Sequence, residues 1–497
     1  MLAEVAVVSV VGLLSALFYS YVLEPLRWQR KASLPPGPPG HWLFGNALPG
    51  PYAYRYYANM VNEYGPVISF RYGRRIVCII GRYQPAVDIL VKHSGETIDR
   101  PRSVAGHEIL SGSLRVLLTP KGDRIRRLRR ALHTFLSPKA CETYKPIQTR
   151  MAKTYVLGCY ETPQEHIDHA KKYAASVVIT MTYGKTTPTS YSDPEVQCMH
   201  RCLRRLGAVL RPGAQLLDTY PFLQYIPGFT RQLRQGHQEE LELFRGEVAK
   251  VKTKLEQGEA QSCFTAQVLK EQESLQLSDD EVAYLAGAMF GAGSDTTASS
   301  LAIVAMAAAL FPEAQAKVQA QLDAVVGRGR LPTFNDEGDL PEVTAFFLEA
   351  SRWRPVASGG FAHRATEDIV WKDYVIPAGA EIIGNHLAIA RDPEVYPDPE
   401  TFKPSRWLDA SGRLRNDLKF FTFGFGRRIC VGQHLADNSV FINTALILWA
   451  FNITQDPTAP IDPDAFTDEA LIYPQPYNVN FNPRFDGLIE MLKEGGD

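Results

Sequence analysis

The segment Phe421–Ala436, FTFGFGRRICVGQHLA, decides how this chain is read. Three glycines, Gly424, Gly426 and Gly432, bracket a single cysteine, Cys430. Glycine reaches positive φ and lets backbone pass close to a bulky flat object. The run after the cysteine, HLADNSVFINTALILWAF, is amphipathic, which places Cys430 at the start of a helix. Unpaired N–H groups and the dipole at such an end favour a thiolate. Arg428, just ahead of the sulfur, can pair with a carboxylate on a ligand.

A lone thiolate narrows the choice of metal. Zinc asks for four ligands, commonly cysteine or histidine pairs. No second cysteine lies near Cys430, and His434 points along the new helix. A site with one sulfur fits haem, whose ring supplies the other four donors.

Phe423, Gly426, Arg428, Cys430 and Gly432 match the pattern F-x-x-G-x-R-x-C-x-G at every fixed position. On these residues the chain resembles the cytochrome P450 family. The resemblance implies a mainly α fold with small β-sheets, a helix-rich prism around buried heme b with Cys430 as the axial iron ligand. It also implies three further signatures in fixed order.

The first is Ala292-Gly293-Ser294-Asp295-Thr296-Thr297, inside the long apolar run LAGAMFGAGSDTTASSLAIVAMAAALF. An acid and an alcohol in a buried helix are costly unless used, and glycine there weakens the helix. Thr296 can bond its own preceding turn or loosen it. The resemblance makes Asp295 and Thr296 the catalytic pair that delivers protons beside bound oxygen. The second is Glu349-Ala350-Ser351-Arg352, whose spacing puts both charges on one helix face. The family joins such a pair to an arginine further along. Here that arginine is Arg406, in Pro404-Ser405-Arg406-Trp407, where Ser405 and Trp407 depart from the commonest form. The cluster's role would be structural; a solvated surface pair is the bland alternative.

The third is the arginine-rich run Gly122–Arg130. The family shows W-x-x-x-R here; this chain has Ile125 in the tryptophan position and keeps Arg129. The resemblance assigns Arg129 and His363 to the haem propionates, with Arg126 as a substitute for the missing indole donor. The remaining arginines, extended by Arg427, suit an acidic electron donor.

Outward from these motifs, the composition is that of a globular protein, with 45% hydrophobic and 22% charged residues. A net charge of -1 gives no reason to expect a nucleic-acid partner. Seven scattered cysteines argue against a disulfide framework. Cys198, His200 and Cys202 have a metal-like spacing, but on a helix His200 leaves the face that the two cysteines share, so they read as packing.

Periodicity predicts helices near 140–160, 232–256, 279–310 and 312–326, and strands within 67–81 and 368–384. The polar stretches near 185–195 and 255–280 read as loops. Residues 5–23 carry no charge, and nineteen helical residues span roughly 28 Å, close to the ~30 Å hydrocarbon core. Arg27, Arg30 and Lys31 follow, which places the remainder in the cytosol. The expected organisation is a transmembrane anchor at 1–24, a proline-rich hinge at 25–40 and a catalytic domain at 41–497.

The expected activity is oxidation of a lipophilic small molecule by O2, a secondary metabolite such as a terpenoid or polyketide. Electrons would come from an NADPH-cytochrome P450 reductase, with cytochrome b5 as an alternative donor, at the endoplasmic reticulum membrane. No dinucleotide fingerprint G-x-G-x-x-G is present in the chain itself. Expected substrate walls include Met289, Phe290, Leu301, Phe361, Ile472 and Tyr473. The competing readings are a haem-thiolate isomerase or dehydratase that uses no oxygen, and a non-catalytic haem-binding membrane protein.

Overall fold

The computed structural model describes Val8, Ser9, Val11, Gly12 and Ser15, then residues 33–185, 189–190, 192–211, 216–259, 261–418 and 421–494. The expected anchor and the first part of the hinge therefore lie outside the described residues, apart from those five positions. Among the described residues no single helix is long and apolar enough to cross a membrane. The chain forms two compact units. The first holds residues up to Pro101 with Ser358–Pro397 and Gly424–Ile429; the second holds Arg102–Ala357, Asp398–Phe423 and Cys430 onward.

The first unit is built on a small sheet beside helix α1 (Ala53–Tyr64). Strands β1 (Val67–Tyr72) and β2 (Arg75–Ile80) occupy the expected 67–81 stretch and pair as a hairpin, antiparallel with Val67 opposite Ile80. The sheet runs β1-β2-β6-β3, where β3 is His363–Arg364 and β6 is Glu381–Gly384; β4 (Ile369–Trp371) and β5 (Tyr374–Ile376) pair separately. Branched side chains at Val77, Ile79 and Ile80 are buried, as pleated packing favours. The hinge's last residues lie along β1. Ser69 donates through its backbone N–H to Pro36 O at 2.8 Å and through its hydroxyl to Pro35 O at 2.6 Å. Prolines cannot donate, but their carbonyls still accept.

The second unit is helical: α2 (Asp123–Leu136), α3 (Lys145–Glu161), α4 (His166–Tyr183), α5 (Pro194–Leu210), α6 (Arg231–Glu256), α7 (Asp279–Leu310), α8 (Pro312–Val325), α9 (Pro341–Trp353) and α10 (Gln433–Ala450). A hairpin of β7 (Phe451–Gln455) and β8 (Val479–Pro483) follows α10. The four expected helices are present with ends shifted by a few residues. The stretch 255–280 is not all loop, because Phe264–Lys270 is a helix whose Phe264 is buried against Phe135.

The 32-residue α7 is the axis of this unit and packs most extensively on α4. It opens with a capping box in which the Ser278 hydroxyl accepts the Glu281 N–H and Glu281 accepts the Ser278 N–H. Its glycines do not loosen it. A Cβ at Gly287 would meet Phe244 at 2.5 Å, and one at Gly293 would meet Val178 at 2.7 Å. They are close-approach points for α6 and α4, and the helix continues unbroken through the acid–alcohol pair.

Candidate functional site

Cys430 is presented by a turn that only this spacing of glycines permits. Gly424 and Gly426 stand at φ +82° and +51°. A Cβ on Gly426 would lie 2.6 Å from Leu90 O, so no side chain fits there. In the second unit, the Cys430 N–H donates to Phe423 O at 2.8 Å. Helix α10 begins only at Gln433, so the sulfur precedes the helix rather than sitting on its first turn.

Burial raises the Cys430 thiol, and Asp437 pushes the same way. The Gly432 N–H and the Arg129 charge act toward a thiolate at Cys430 without prevailing. Desolvation is the larger effect and outweighs the Gly432 N–H at the helix end. A coordinating metal deprotonates such a thiol outright. The residue is nonetheless exposed by surface area although protein surrounds the sulfur, the combination expected at the floor of a recess. The exposed Cys430 is reachable by a ligand.

Helix α7 supplies a second surface. Between Glu281 and Ala309 every residue is buried except Ala288, Ala292, Gly293, Asp295, Thr296 and Ser300. Four of these recur every fourth position, so a narrow stripe of small and polar groups faces open space on an otherwise packed helix. Thr296 donates to Ala292 O at 2.7 Å and Ser300 to Thr296 O at 3.0 Å. Asp295 lies beside the stripe. Its backbone carbonyl accepts from the Tyr473 hydroxyl at 2.8 Å, and its Oδ1 is 3.2 Å from His200 Nδ1. Of the expected walls, Met289, Phe290, Leu301 and Ile472 are buried instead, Phe290 against Tyr183. The stripe is made of small residues because larger ones on α7 are used for packing.

The five arginines of α2 divide. Arg129 is half-buried, and its charge acts on Cys430. Arg124 is drawn to Glu281 at 2.8 Å, and Arg127 donates to Gln276 O. Arg126 points to solvent and pairs with Asp123 at 3.1 Å, so it does not replace the missing indole. Ile125 is buried as an ordinary core residue.

The first unit gathers His363 and Arg428 with a residue the sequence reading missed, Arg100. All three are buried. Arg428 Nε donates to Ile98 O at 2.7 Å, and Arg100 donates to Ala362 O at 2.5 Å. His363 Nδ1 donates to Thr97 O at 2.7 Å. Burial first, then the charges of Arg100 and Arg428, hold the His363 ring down to about 3, against the pull of Thr97 O. Two buried guanidiniums around a neutral imidazole form a place suited to an anionic group. The only sequence signal for Arg100 is its place in Asp99-Arg100-Pro101, which periodicity does not single out.

The expected structural cluster is complete. Glu349, Arg352, Arg406 and Trp407 are all buried. Arg352 donates to both Glu349 oxygens at 2.8 Å, and Lys403 N–H and Arg406 Nε donate to Oε1 at 2.8 and 3.0 Å. Trp407 Nε1 donates to Oε2 at 3.0 Å. The departure at Trp407 is thus an added donor, and the surface-pair alternative is excluded.

The donor set fits haem. In the second unit an accessible sulfur, an arginine acting on it and a stripe of small residues suit such a cofactor, and in the first the cationic cluster suits an anionic group. The cytochrome P450 family profile matches residues 35–481. Cytochrome P450 monooxygenase 64 of Postia placenta is 63% identical over 461 residues, 93% of each chain. Cytochrome P450 monooxygenase 113 of the same fungus is 57% identical over 487 residues, 98% of this chain and 97% of the relative. A cytochrome P450 monooxygenase of Armillaria gallica is 34% identical over 495 residues, 95% and 94% of the two chains.

Proposed function

We propose, for a chain that belongs to the cytochrome P450 family and is a haem-thiolate monooxygenase binding heme b, that its substrate is a lipophilic secondary metabolite such as a terpenoid or polyketide. Electrons come from an NADPH-cytochrome P450 reductase, with cytochrome b5 as an alternative donor. Residues 1–24 anchor the chain in the endoplasmic reticulum membrane, with the remainder in the cytosol. The observation that carries the reading is the stripe on α7, where an alcohol opens onto space with an acid beside it in a helix otherwise sealed by packing.

When bound, haem supplies activation of O2 and insertion of one oxygen atom into a substrate bond. Cys430 would ligate the iron through its sulfur. In the first unit Arg428, His363 and Arg100 would receive a carboxylate of the group, and in the second Arg129 would stand beside Cys430. His363 already spends its Nδ1 proton on Thr97 O, so Nε2 must gain a proton before it can donate to a carboxylate. Thr296 holds a proton at Oγ1 that it can turn away from Ala292 O, and Asp295 replaces it. The apolar flanks of α7 exclude water and orient a substrate that lacks charge. Exposed Leu216, Phe222, Tyr225, Ile226 and Phe229 crowd a short stretch and suit contact with lipid.

The test is turnover of a terpenoid and polyketide panel in reductase-containing vesicles under ¹⁸O2. Products carrying one label, dependent on NADPH and absent with Cys430→Ala, are expected. Products formed without oxygen would favour an isomerase, and a protein that takes up no haem would end the reading.

A further inference from the structure

Asp295 has a partner on another helix that the family motif does not specify. His200 on α5 brings Nδ1 to 3.2 Å from Asp295 Oδ1, with the two side chains only 16% and 17% exposed. The approach is close but poorly aligned, since Oδ1 is buried and accepts no well-formed hydrogen bond. A buried carboxylate oxygen in that condition is costly, and a charged or moving proton would relieve it. His200 is also the member of Cys198-x-His200-x-Cys202 that packing left unexplained. Cys198 turns to Glu239 at 3.6 Å and Cys202 is buried, while His200 turns to α7.

A second element closes on the same carboxylate. The turn 466–474 is pinned by a Phe466–Pro474 bridge and by the Thr467 N–H donating to Tyr473 O. Ser299 donates to Ile472 O at 2.7 Å, and the Tyr473 hydroxyl donates to Asp295 O. This docking brings Glu469 within electrostatic reach of Asp295. Burial first, with Asp295 and Asp468 adding to it, raises the Glu469 carboxyl, while Arg211 and Arg204 oppose them. Arg204 and Arg211 are exposed. Arg201 and Arg205, also on α5, are engaged by Glu239 of α6. Half-buried Glu469 thus links Asp295 electrostatically to the exposed Arg204 and Arg211.

We infer that His200 is the positioning residue of the acid–alcohol pair, holding Asp295 and handing it protons. This rests on the reading of Asp295 and Thr296 as the proton-delivering pair. A proton enters the ring at Nε2 and the Nδ1 proton passes to Asp295 Oδ1. The ring is left as the other tautomer and returns by exchange with solvent, and no electron moves. Histidine suits the step because it changes charge near neutral pH and offers two nitrogens.

The test uses the full haem-loaded chain, with His200→Gln, Asp295→Asn and Thr296→Ala. Each variant is first checked for an unchanged carbon monoxide difference band. Ring-labelled histidine NMR, assigned with His200→Gln, reads the pair directly. The His200 Nδ1 resonance should move on Asp295→Asn, because that substitution changes the group facing Nδ1 at 3.2 Å. In reductase-coupled turnover, His200→Gln should raise the peroxide released per NADPH at least about threefold and flatten its dependence on pH. A His200 Nδ1 resonance indifferent to Asp295→Asn overturns the inference. So does wild-type peroxide yield in His200→Gln when Asp295→Asn and Thr296→Ala raise it. If none of the three variants changes the yield, the proton-delivery reading itself fails.

Discussion

Replacing Glu349 by glutamine tests whether one buried carboxylate holds the second unit together. Glu349 accepts from five donors, namely two groups of Arg352, Lys403 N–H, Arg406 Nε and Trp407 Nε1, all between 2.8 and 3.0 Å. Glu349 and Arg352 are 0% exposed. Glutamine keeps the shape, removes the only negative charge in this set and turns an NH2 toward groups that can only donate. Removing one partner of a buried pair costs about 3–5 kcal/mol, because the remaining charge stays buried. Exposed Arg102–Glu108 is as short, at 2.6 Å, yet its side chains are 65% and 31% exposed, and such pairs contribute about 0–1 kcal/mol. Unfolding entropy is about 2.1 cal/mol/K per residue. A cooperative chain of 497 residues therefore loses about 1 °C of melting temperature per kcal/mol. Glu349→Gln should then melt about 3–5 °C lower and take up less haem, while Glu108→Gln moves by less than about 1 °C. Trp407→Phe deletes a single bond to a charged acceptor and should fall between them, at about 1.5–3 kcal/mol. Calorimetry of the haem-loaded protein with the carbon monoxide difference spectrum reads both quantities. Equal shifts for Glu349→Gln and Glu108→Gln would refute the claim that burial, rather than ion-pair geometry, sets the cost.

The two glycines of the cysteine turn should respond differently. Gly424→Ala strains φ +82° but meets no atom within 4 Å, whereas Gly426→Ala drives Cβ against Leu90 O; haem occupancy should fall modestly in the first and be lost in the second. The His363 ring titrates near 3 in the folded chain against about 6.5 unfolded. The unfolded state therefore binds more protons between those values, and stability present above pH 6.5 is lost as pH falls. Melting of the haem-free protein from pH 6.5 to 4.5 should lose about 2–3 kcal/mol on this account, and His363→Gln should remove that slope. Arg126 and Arg130 are exposed on α2, so charge reversal at both should raise the KM for the reductase several-fold at low salt. The effect should fade as salt rises, while haem uptake stays unchanged.

The sequence by itself determined what depends on near neighbours. The glycine spacing around Cys430 prescribes the turn, the period of the apolar residues prescribes α6 and α7, and alternation prescribes the β1–β2 hairpin. Glu349 and Arg352 share a face because they are three residues apart on one helix. Only the tertiary structure decided the rest, since a charge acquires its role from what packs around it. Trp407 joined Glu349 across 58 positions, His200 reached Asp295 from another helix, and Arg100 joined His363 through a strand far along the chain. Tertiary packing also ruled that the Cys430 thiol would be raised and not lowered, because desolvation is a property of the surroundings and is written nowhere in the motif.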